Sequence, residues 1–362
     1  MVVTSGRSIF RGAQSFGLAD EVEVEVDGEG EVDGEGEAAV EVDGEGEAAL
    51  AAGSAVVAAP DLLHPRTSAK RAIRRIVPHD NRSARQRTNW RRARASYAPT
   101  MCTIVALYRV HPTLPLVVLA NRDEMYARRT QGAAVLLESP RAVGGRDLEK
   151  GGTWSGVTAT GLFVGVTNQR SYGMRDDKLL SRGQLVMDAL AAGSVEGVEH
   201  VLQAIDAREY NAFNVLFGDA RGLRVAYARR DDPRVAIEQL AAGTWILAND
   251  RIGSPEFPKT ARAAELARPI ATATLGALGD VGRALLSDHS LPPLDAVPPP
   301  SPGSIFPHAF LQQLQAICIH TPLYGTRSSS IVAIGADRVE KYLFADGPPC
   351  TTPYDDVTAM LR

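Results

Sequence analysis

Apolar residues gather into short runs from Met101 onward, and most runs have the length and β-branched content of buried strands. Met101–Val110 (MCTIVALYRV) and Leu114–Ala120 (LPLVVLA) flank the turn His111-Pro112-Thr113, so the pair predicts a hairpin. The glycine turn Gly151–Gly156 (GGTWSG) leads into a further strand. The same pattern predicts strands at Leu162–Val166, Asn214–Gly218, Leu223–Ala228, Thr244–Leu247, Ser328–Ile334 and Arg338–Phe344.

Helical periodicity is confined to separate stretches, and a Pro-rich loop is predicted at Leu291–Phe306. Ser181 can cap a helix over Ser181–Ala192, and we predict two more helices, at Pro258–Leu266 and Thr272–Leu286. Strands come in groups joined by short turns, which favours an α+β fold of antiparallel sheets covered by helices over alternating βαβ units. Two stacked sheets between helix layers would fit this order.

The first 100 residues have a different composition. Every charge from Asp20 to Glu47 is acidic and the unit EVDGEGE recurs, whereas Arg predominates from Arg66 to Arg94. Such sequence buries too little apolar surface to offset the entropy of ordering, so we expect a disordered leader. Two alternatives are a basic arm that binds nucleic acid or targets an organelle, and upstream bases translated from a start codon placed too early.

The whole-chain composition narrows the choice of partner. A net charge of −4 argues against a nucleic-acid partner, and no apolar run has the roughly 20 residues needed to span a bilayer. Three cysteines, Cys102, Cys318 and Cys350, make no disulfide framework and no two are spaced like zinc ligands, so a reducing compartment is expected. No cofactor or metal is expected.

Cys102 is the first candidate for chemistry. A lone Cys in an apolar strand is usually a small core residue. If translation begins at Met101 and that Met is removed, however, Cys102 carries a free α-amine with a pKa of about 8. The amine can then act as general base for the Cys102 thiol.

Other polar residues stand at predicted strand ends. The cluster Asn121-Arg122-Asp123-Glu124 follows a buried strand. One interpretation is a solvated turn. The other is a site in which Asp123 orients the α-amine and Arg122 lowers the thiol pKa. Asn168 and Asn249 are either turn caps or oxyanion donors. Arg327 precedes a strand, where its fork could hold a carboxylate or the polar end of a substrate. His289 and His320 are interpreted as packing or loop residues.

Several motifs together resemble one family. They are MCTIVA at Met101–Ala106, ANRDE at Ala120–Glu124, GGTWSG at Gly151–Gly156, TNQR at Thr167–Arg170, SRGQLV at Ser181–Val186, NVLFGD at Asn214–Asp219 and YGTRSSS at Tyr324–Ser330. This set is similar to the NRDE, or transport-and-Golgi-organisation, family. The resemblance implies an N-terminal-nucleophile hydrolase-like fold, an αββα sandwich of two antiparallel sheets between helices. It also implies cytoplasmic residence, with a mitochondrial or Golgi-associated location as the alternative in eukaryotes, and links to secretion, lipid metabolism and haem trafficking.

A more distant similarity is to cysteine amidases of the bile-salt hydrolase and penicillin acylase type. It implies catalytic roles for Cys102, Arg122, Asp123, Asn168, Asn249 and Arg327. In those amidases the Arg and Asp are separated, whereas Arg122 and Asp123 are adjacent and should point to opposite faces of a strand.

Three functions follow as hypotheses. The first is hydrolysis of a small acylated substrate, and the second is carriage of a hydrophobic ligand such as haem or a lipid. The third is a trafficking protein with a vestigial cleft. An open polar cleft around Cys102 would favour the first, and a wide apolar groove the second.

Overall fold

A computed structural model of the chain describes residues 8–10, 22–24, 101–169, 176–301, 304 and 306–362. The chain divides into two compact units, Met1–Asp80 and Asn81–Arg362. In the first unit, β1 (Ser8–Phe10) and β2 (Val22–Val24) pair antiparallel. The acidic repeat and the basic stretch lie outside the described residues, so disorder of the leader stays a prediction.

The second unit contains two antiparallel sheets. The six-stranded sheet has the order β12-β3-β4-β13-β14-β15, and the seven-stranded sheet runs consecutively from β11 back to β5. The first comprises β3 (Cys102–Tyr108), β4 (Leu116–Met125), β12 (Gly243–Leu247), β13 (Tyr324–Ile334), β14 (Val339–Ala345) and β15 (Asp355–Asp356). The second comprises β5 (Thr130–Glu138), β6 (Arg141–Asp147), β7 (Ser155–Thr158), β8 (Phe163–Asn168), β9 (Phe213–Gly218), β10 (Leu223–Ala228) and β11 (Ala236–Leu240).

The described helices are short. They are α1 (Arg182–Ala191), α2 (Val195–Ala204), α3 (Lys259–Ala267), α4 (Leu278–Leu286) and α5 (His308–Gln313). The predicted cap is confirmed, since the Ser181 side chain accepts from Gln184 N. The single helix predicted over Thr272–Leu286 is wrong in its first part, because a 3-10 turn ends at Thr272 and the Thr274 hydroxyl accepts from Ala277 N just before α4 begins. None of these helices combines the length and apolarity that a bilayer span requires.

Side-chain packing defines four layers. The two sheets enclose a core in which Ile104 of β3 and Phe163 of β8 belong to one cluster. On the outer face of the seven-stranded sheet, Leu185 of α1 packs with Val164. On the outer face of the six-stranded sheet, Ala263 of α3 packs in a cluster with residues of β3 and β4. The predicted αββα sandwich is therefore confirmed.

Strand register brings several predicted site residues to one end of the six-stranded sheet. Cys102 lies opposite Arg122 in the β3–β4 pair, which confirms the hairpin. In the β4–β13 pair Asp123 lies opposite Thr326, and the register shifts immediately afterwards. Arg327 is the extra residue of this β-bulge. The irregularity therefore lies in β13, and β4 continues without a break.

Candidate active site

The start of β3 places Cys102 on the face of the sheet that looks toward the second sheet. Ile104 and Ala120, two residues along from Cys102 and Arg122, both belong to the inter-sheet core. Because strand side chains alternate, Cys102 and Arg122 share that face and Asp123 faces the helices. The predicted division of Arg122 and Asp123 between opposite faces is thus confirmed.

Arg122 is buried beside Cys102. Its guanidinium carbon lies 4.3 Å from the ring centroid of Trp154, and Nη2 lies 3.5 Å from Glu124 Oε2. Burial lowers the pKa of Arg122, while Glu124 and Cys102 raise it. Its Nη1 is buried without a hydrogen-bond partner in the described part of the chain. The guanidinium thus stacks on an aromatic ring and makes one long ion pair. One of its N–H donors stays available for a further hydrogen bond.

A polar cleft opens on this face between the two sheets. Arg128 connects its walls, because its Nη1 lies 3.4 Å from Glu124 Oε2 and its Nη2 lies 2.5 Å from Asp147 Oδ2. We call it the Cys102 cleft; its lining includes Cys102, Arg122, Asp123, Glu124, Arg128, Asp147, Trp154 and Asn168. Charged and amide groups thus dominate the surroundings of the thiol.

The carboxylate of Asp123 is almost fully buried on the opposite face, whereas the carbonyl oxygen of Asp123 lies 4.0 Å from Cys102 Sγ, at the cleft. The Thr326 hydroxyl donates to its Oδ1 at 2.6 Å, while Oδ2 has no partner among the described residues. Burial raises the Asp123 pKa to about 6, against the nearby charge of Lys259, which lowers it. Half of this carboxylate is therefore free to accept a further hydrogen bond.

Lys259, the first residue of α3, was missed by the sequence reasoning. It is buried, and its Nζ makes no hydrogen bond within the described residues. Burial lowers its pKa, while Asp123 and Cys102 raise it. The signal was present in the sequence, because Lys259, Ala263 and Ala267 are spaced four residues apart and form the buried face of α3.

The main chain at Cys102 is held from two sides. Cys102 N–H donates to Asn249 Oδ1 at 2.9 Å, and Asn249 Nδ2 donates to the Asn168 carbonyl at 2.7 Å. The Tyr324 hydroxyl donates to the Met101 carbonyl at 3.0 Å and accepts from Met101 N–H. Through its Oδ1, Asn249 thus contacts the nitrogen that would become the α-amine.

The depressed thiol pKa is expected of a chain that begins at Cys102, and there it stays a prediction; in the chain that retains Met101 the pKa of the thiol is raised. Burial, and to a smaller extent the Asp123 carboxylate, raise the pKa of the thiol to about 12. Arg122 lowers it, but by less than these two effects together. The thiol is therefore protonated at neutral pH in this state, and a thiolate would need a second positive charge nearby.

Arg327 lies apart from the cleft. It stands at the bulge of β13, and it is not among the residues that line the Cys102 cleft. Its Nε is buried and unpartnered in the described structure. Burial raises the pKa of the neighbouring Tyr126, and the Arg327 charge opposes that shift. The geometry therefore gathers Cys102, Arg122, Asp123, Asn168 and Asn249, and leaves Arg327 outside.

Comparison with known proteins gives the family. The model of the family described as Transport and Golgi organisation 2 matches residues 101–344. The chain belongs to this family. Among its family relatives, the Transport and Golgi organization protein 2 homologs of Bos taurus and Homo sapiens are each 28% identical, over 239 and 233 residues, 61% of this chain and 83% of each relative.

Solved structures outside the Transport and Golgi organisation 2 family show a distant likeness. The conjugated bile acid hydrolase of Clostridium perfringens, in a mutant form, is 13% identical with a TM-score of 0.39, covering 72% of this chain and 94% of that one. The Caenorhabditis elegans ortholog of N-acylethanolamine-hydrolyzing acid amidase is 10% identical with a TM-score of 0.41, covering 64% and 92%. Penicillin V acylase from Agrobacterium tumefaciens is 14% identical with a TM-score of 0.35, covering 71% and 86%.

Proposed function

We propose that this family member is an amidohydrolase in which Cys102, as the N-terminal residue of the active chain, attacks a small acylated substrate. The observation that carries the proposal is the polar Cys102 cleft, in which Arg122 and Asn168 accompany the thiol. A carrier of haem or lipid would instead need a wide apolar groove. Small polar groups around one nucleophile are typical of acyl-transfer sites.

The roles follow from position. Cys102 Sγ attacks the acyl carbon, its α-amine takes the thiol proton and later gives it to the leaving amine, and water hydrolyses the thioester. Asn249 Oδ1, which already accepts from Cys102 N, orients the amine together with the free oxygen of Asp123. Asn168 and the remaining N–H of Asn249 are the candidate oxyanion donors. In the uncleaved chain the thiol lacks a second positive charge nearby. After cleavage the α-ammonium supplies that charge.

The proposal requires cleavage between Met101 and Cys102. The Tyr324 hydroxyl donates to the carbonyl oxygen of Met101, which is the carbonyl that such a cleavage attacks. Met101 is buried in a cluster with Phe257, Ile319 and Tyr324. Its removal would leave a space beside the new amine, next to the Cys102 cleft.

The deciding experiment is the mass of the N-terminus in protein from its native source. A chain that begins at Cys102 supports the proposal, and it should hydrolyse at least one member of a panel of chromogenic N-acyl amides. A retained leader keeps the Cys102 nitrogen as an amide, which cannot serve as a base near neutral pH. That result would reject the hydrolase and make a non-enzymatic carrier the first choice.

A further inference from the structure

Two cysteines and two histidines converge away from the Cys102 cleft. His289 follows α4, Cys318 and His320 precede β13, and Cys350 follows β14. One donor atom from each lies within 4.8 Å of all the others. We call these four residues the Cys318 cluster. Their sequence separations conceal this convergence, which the interpretation of the two histidines as packing or loop residues did not anticipate.

The distances inside the Cys318 cluster match a metal tetrahedron. Cys318 Sγ and Cys350 Sγ are 3.8 Å apart, and His320 Nε2 lies 3.7 Å from the first sulfur and 3.2 Å from the second. Zn–S bonds of about 2.3 Å and Zn–N bonds of about 2.0 Å place two sulfurs about 3.8 Å apart and a sulfur and nitrogen about 3.5 Å apart. A disulfide would bring the sulfurs to about 2.0 Å.

His289 is oriented as a metal ligand usually is. Its Nδ1 lies 2.9 Å from the Cys318 carbonyl oxygen, and a carbonyl only accepts, so Nδ1 carries the proton. The lone pair is therefore on Nε2. Bonding of the second ring nitrogen to a backbone carbonyl is the common way in which proteins fix the tautomer of a ligating His. The N–H of Cys318 donates to the Asp288 carbonyl at 2.9 Å, which ties the two segments together.

We propose that the Cys318 cluster binds one Zn²⁺ ion as a closed Cys2His2 site. Two thiolates and two imidazoles favour Zn²⁺ among the common divalent ions, and two thiolates balance its charge. Four protein ligands leave no open position, so the ion is structural. Both histidines are exposed, so the ion enters from solvent.

The ion would brace the part of the chain that holds Asp123. Ile319 lies between two of the ligands, and its N–H donates to Thr326 Oγ1 at 2.9 Å. Thr326 in turn donates to Asp123 Oδ1. Metal binding at the Cys318 cluster is independent of any activity at Cys102, so the two can be tested separately.

Co²⁺ is the optical probe for this site. Added to the full-length reduced chain, one equivalent of Co²⁺ should give strong visible absorption of a tetrahedral ion together with a thiolate-to-cobalt charge-transfer band. One equivalent of Zn²⁺ should abolish both. Only weak absorption of a hexahydrated type, or uptake without a thiolate band, overturns the proposal.

Variants assign the ligands. Cys350→Ser and His320→Gln should each lower Zn²⁺ affinity by at least about a hundredfold, since even outer partners of a ligand cost up to that much. Cys102→Ser and His200→Gln, at a cysteine and an exposed histidine outside the cluster, should leave the spectrum unchanged. Equal Co²⁺ spectra in Cys350→Ser and wild type, or a Cys318–Cys350 disulfide in a chain that takes up no Zn²⁺ after reduction, would reject the site.

Discussion

Both cysteine-containing regions of the sandwich concentrate polar side chains, but they satisfy them differently. In and behind the Cys102 cleft, Asp123 Oδ2, Arg122 Nη1 and Lys259 Nζ are all buried without hydrogen-bond partners among the described residues. In the Cys318 cluster the donor atoms contact one another. The region of Cys102 keeps its charged side chains apart at fixed positions. The Cys318 cluster instead brings four possible metal-ligand atoms together.

The difference indicates what each region is built to receive. An unpartnered buried polar atom costs free energy, so several around one thiol suggest that another group completes them. Two cysteines and two histidines whose donor atoms lie within 4.8 Å of one another offer four ligands to one cation. One region is therefore suited to a reacting molecule and the other to a single ion, and Thr326 is the short bridge between them.

The largest effect should come from removing the nucleophile. In a chain that begins at Cys102, Cys102→Ala should lower the rate of amide hydrolysis by at least about a thousandfold, as loss of a nucleophile does elsewhere. Its melting temperature and its Co²⁺ spectrum should stay at wild-type values. Residual hydrolysis above one tenth of the wild-type rate would show that the thiol is not the nucleophile.

The second prediction concerns Asn121, whose side chain connects β4 to chain segments next to the Cys318 cluster. Asn121 Nδ2 donates to the carbonyls of Leu286 at 2.8 Å and Ile317 at 2.9 Å, and its Oδ1 accepts from Ser329. Asn121→Ala leaves two buried carbonyls unpaired and should lower the free energy of unfolding by about 3 kcal/mol. Urea unfolding measures this, with the exposed Gln203→Ala as control near zero. A loss below about 1 kcal/mol would mean that water replaces the amide.

The architecture could be predicted from sequence because buried strands contain short apolar runs. β3 and the first half of β4 are nearly continuous apolar runs and β13 ends in one, and each strand is confirmed near its predicted position. Strand β5 was missed because its side chains are mostly half-exposed, and its TQGAAVLLE sequence lacks clear alternation. Helix α2 was missed although Ser194 caps it and Val195, Val198 and Leu202 have the spacing of one helix face, so its signal was present in the sequence.

The site could be predicted only in part. Cys102 and Arg122 meet because neighbouring strands of a hairpin lie in register, which follows from local sequence. The Cys318 cluster depends on contacts between distant segments, which no local pattern encodes, whereas the burial of Lys259 could have been found from its spacing on α3. The pKa of the Cys102 thiol also depends on such packing, since in the chain that retains Met101 burial of the sulfur outweighs the charge of Arg122.

The third prediction uses pH to test the unpaired oxygen of Asp123. Burial raises its pKa to about 6, so its protonated form is favoured by folding. The stability that protonated Asp123 contributes is complete below the pKa of the unfolded chain, about 4. It is lost as pH rises through the folded pKa of about 6. Asp123→Asn mimics the protonated form, so it should be more stable than wild type by about 3 kcal/mol at pH 8.

The difference between Asp123→Asn and wild type should shrink toward zero at about pH 4, where both side chains are neutral. Unfolding by urea at several pH values measures it. Glu138→Gln, at a largely exposed carboxylate, is the matched control and should show no such trend. A constant difference across the pH range would show that the Asp123 charge is already compensated in the folded chain.

The smallest predicted effect, and the one that separates function from stability, is at Lys259. Burial lowers the Lys259 pKa, so its charged form is disfavoured by folding at neutral pH. Lys259→Met keeps most of the volume and should change the free energy of unfolding by no more than about 1–2 kcal/mol, because it removes a buried ammonium but also takes a positive charge away from Asp123. The charge of Lys259 acts on both Asp123 and Cys102, so Lys259→Met should also slow hydrolysis and shift the pH profile of the rate. The control Lys178→Met, at an exposed site, should do neither. Lys259→Arg should recover part of the rate if the charge matters. A Lys259→Met chain that is less stable and equally active would assign this lysine to the structure of α3 alone.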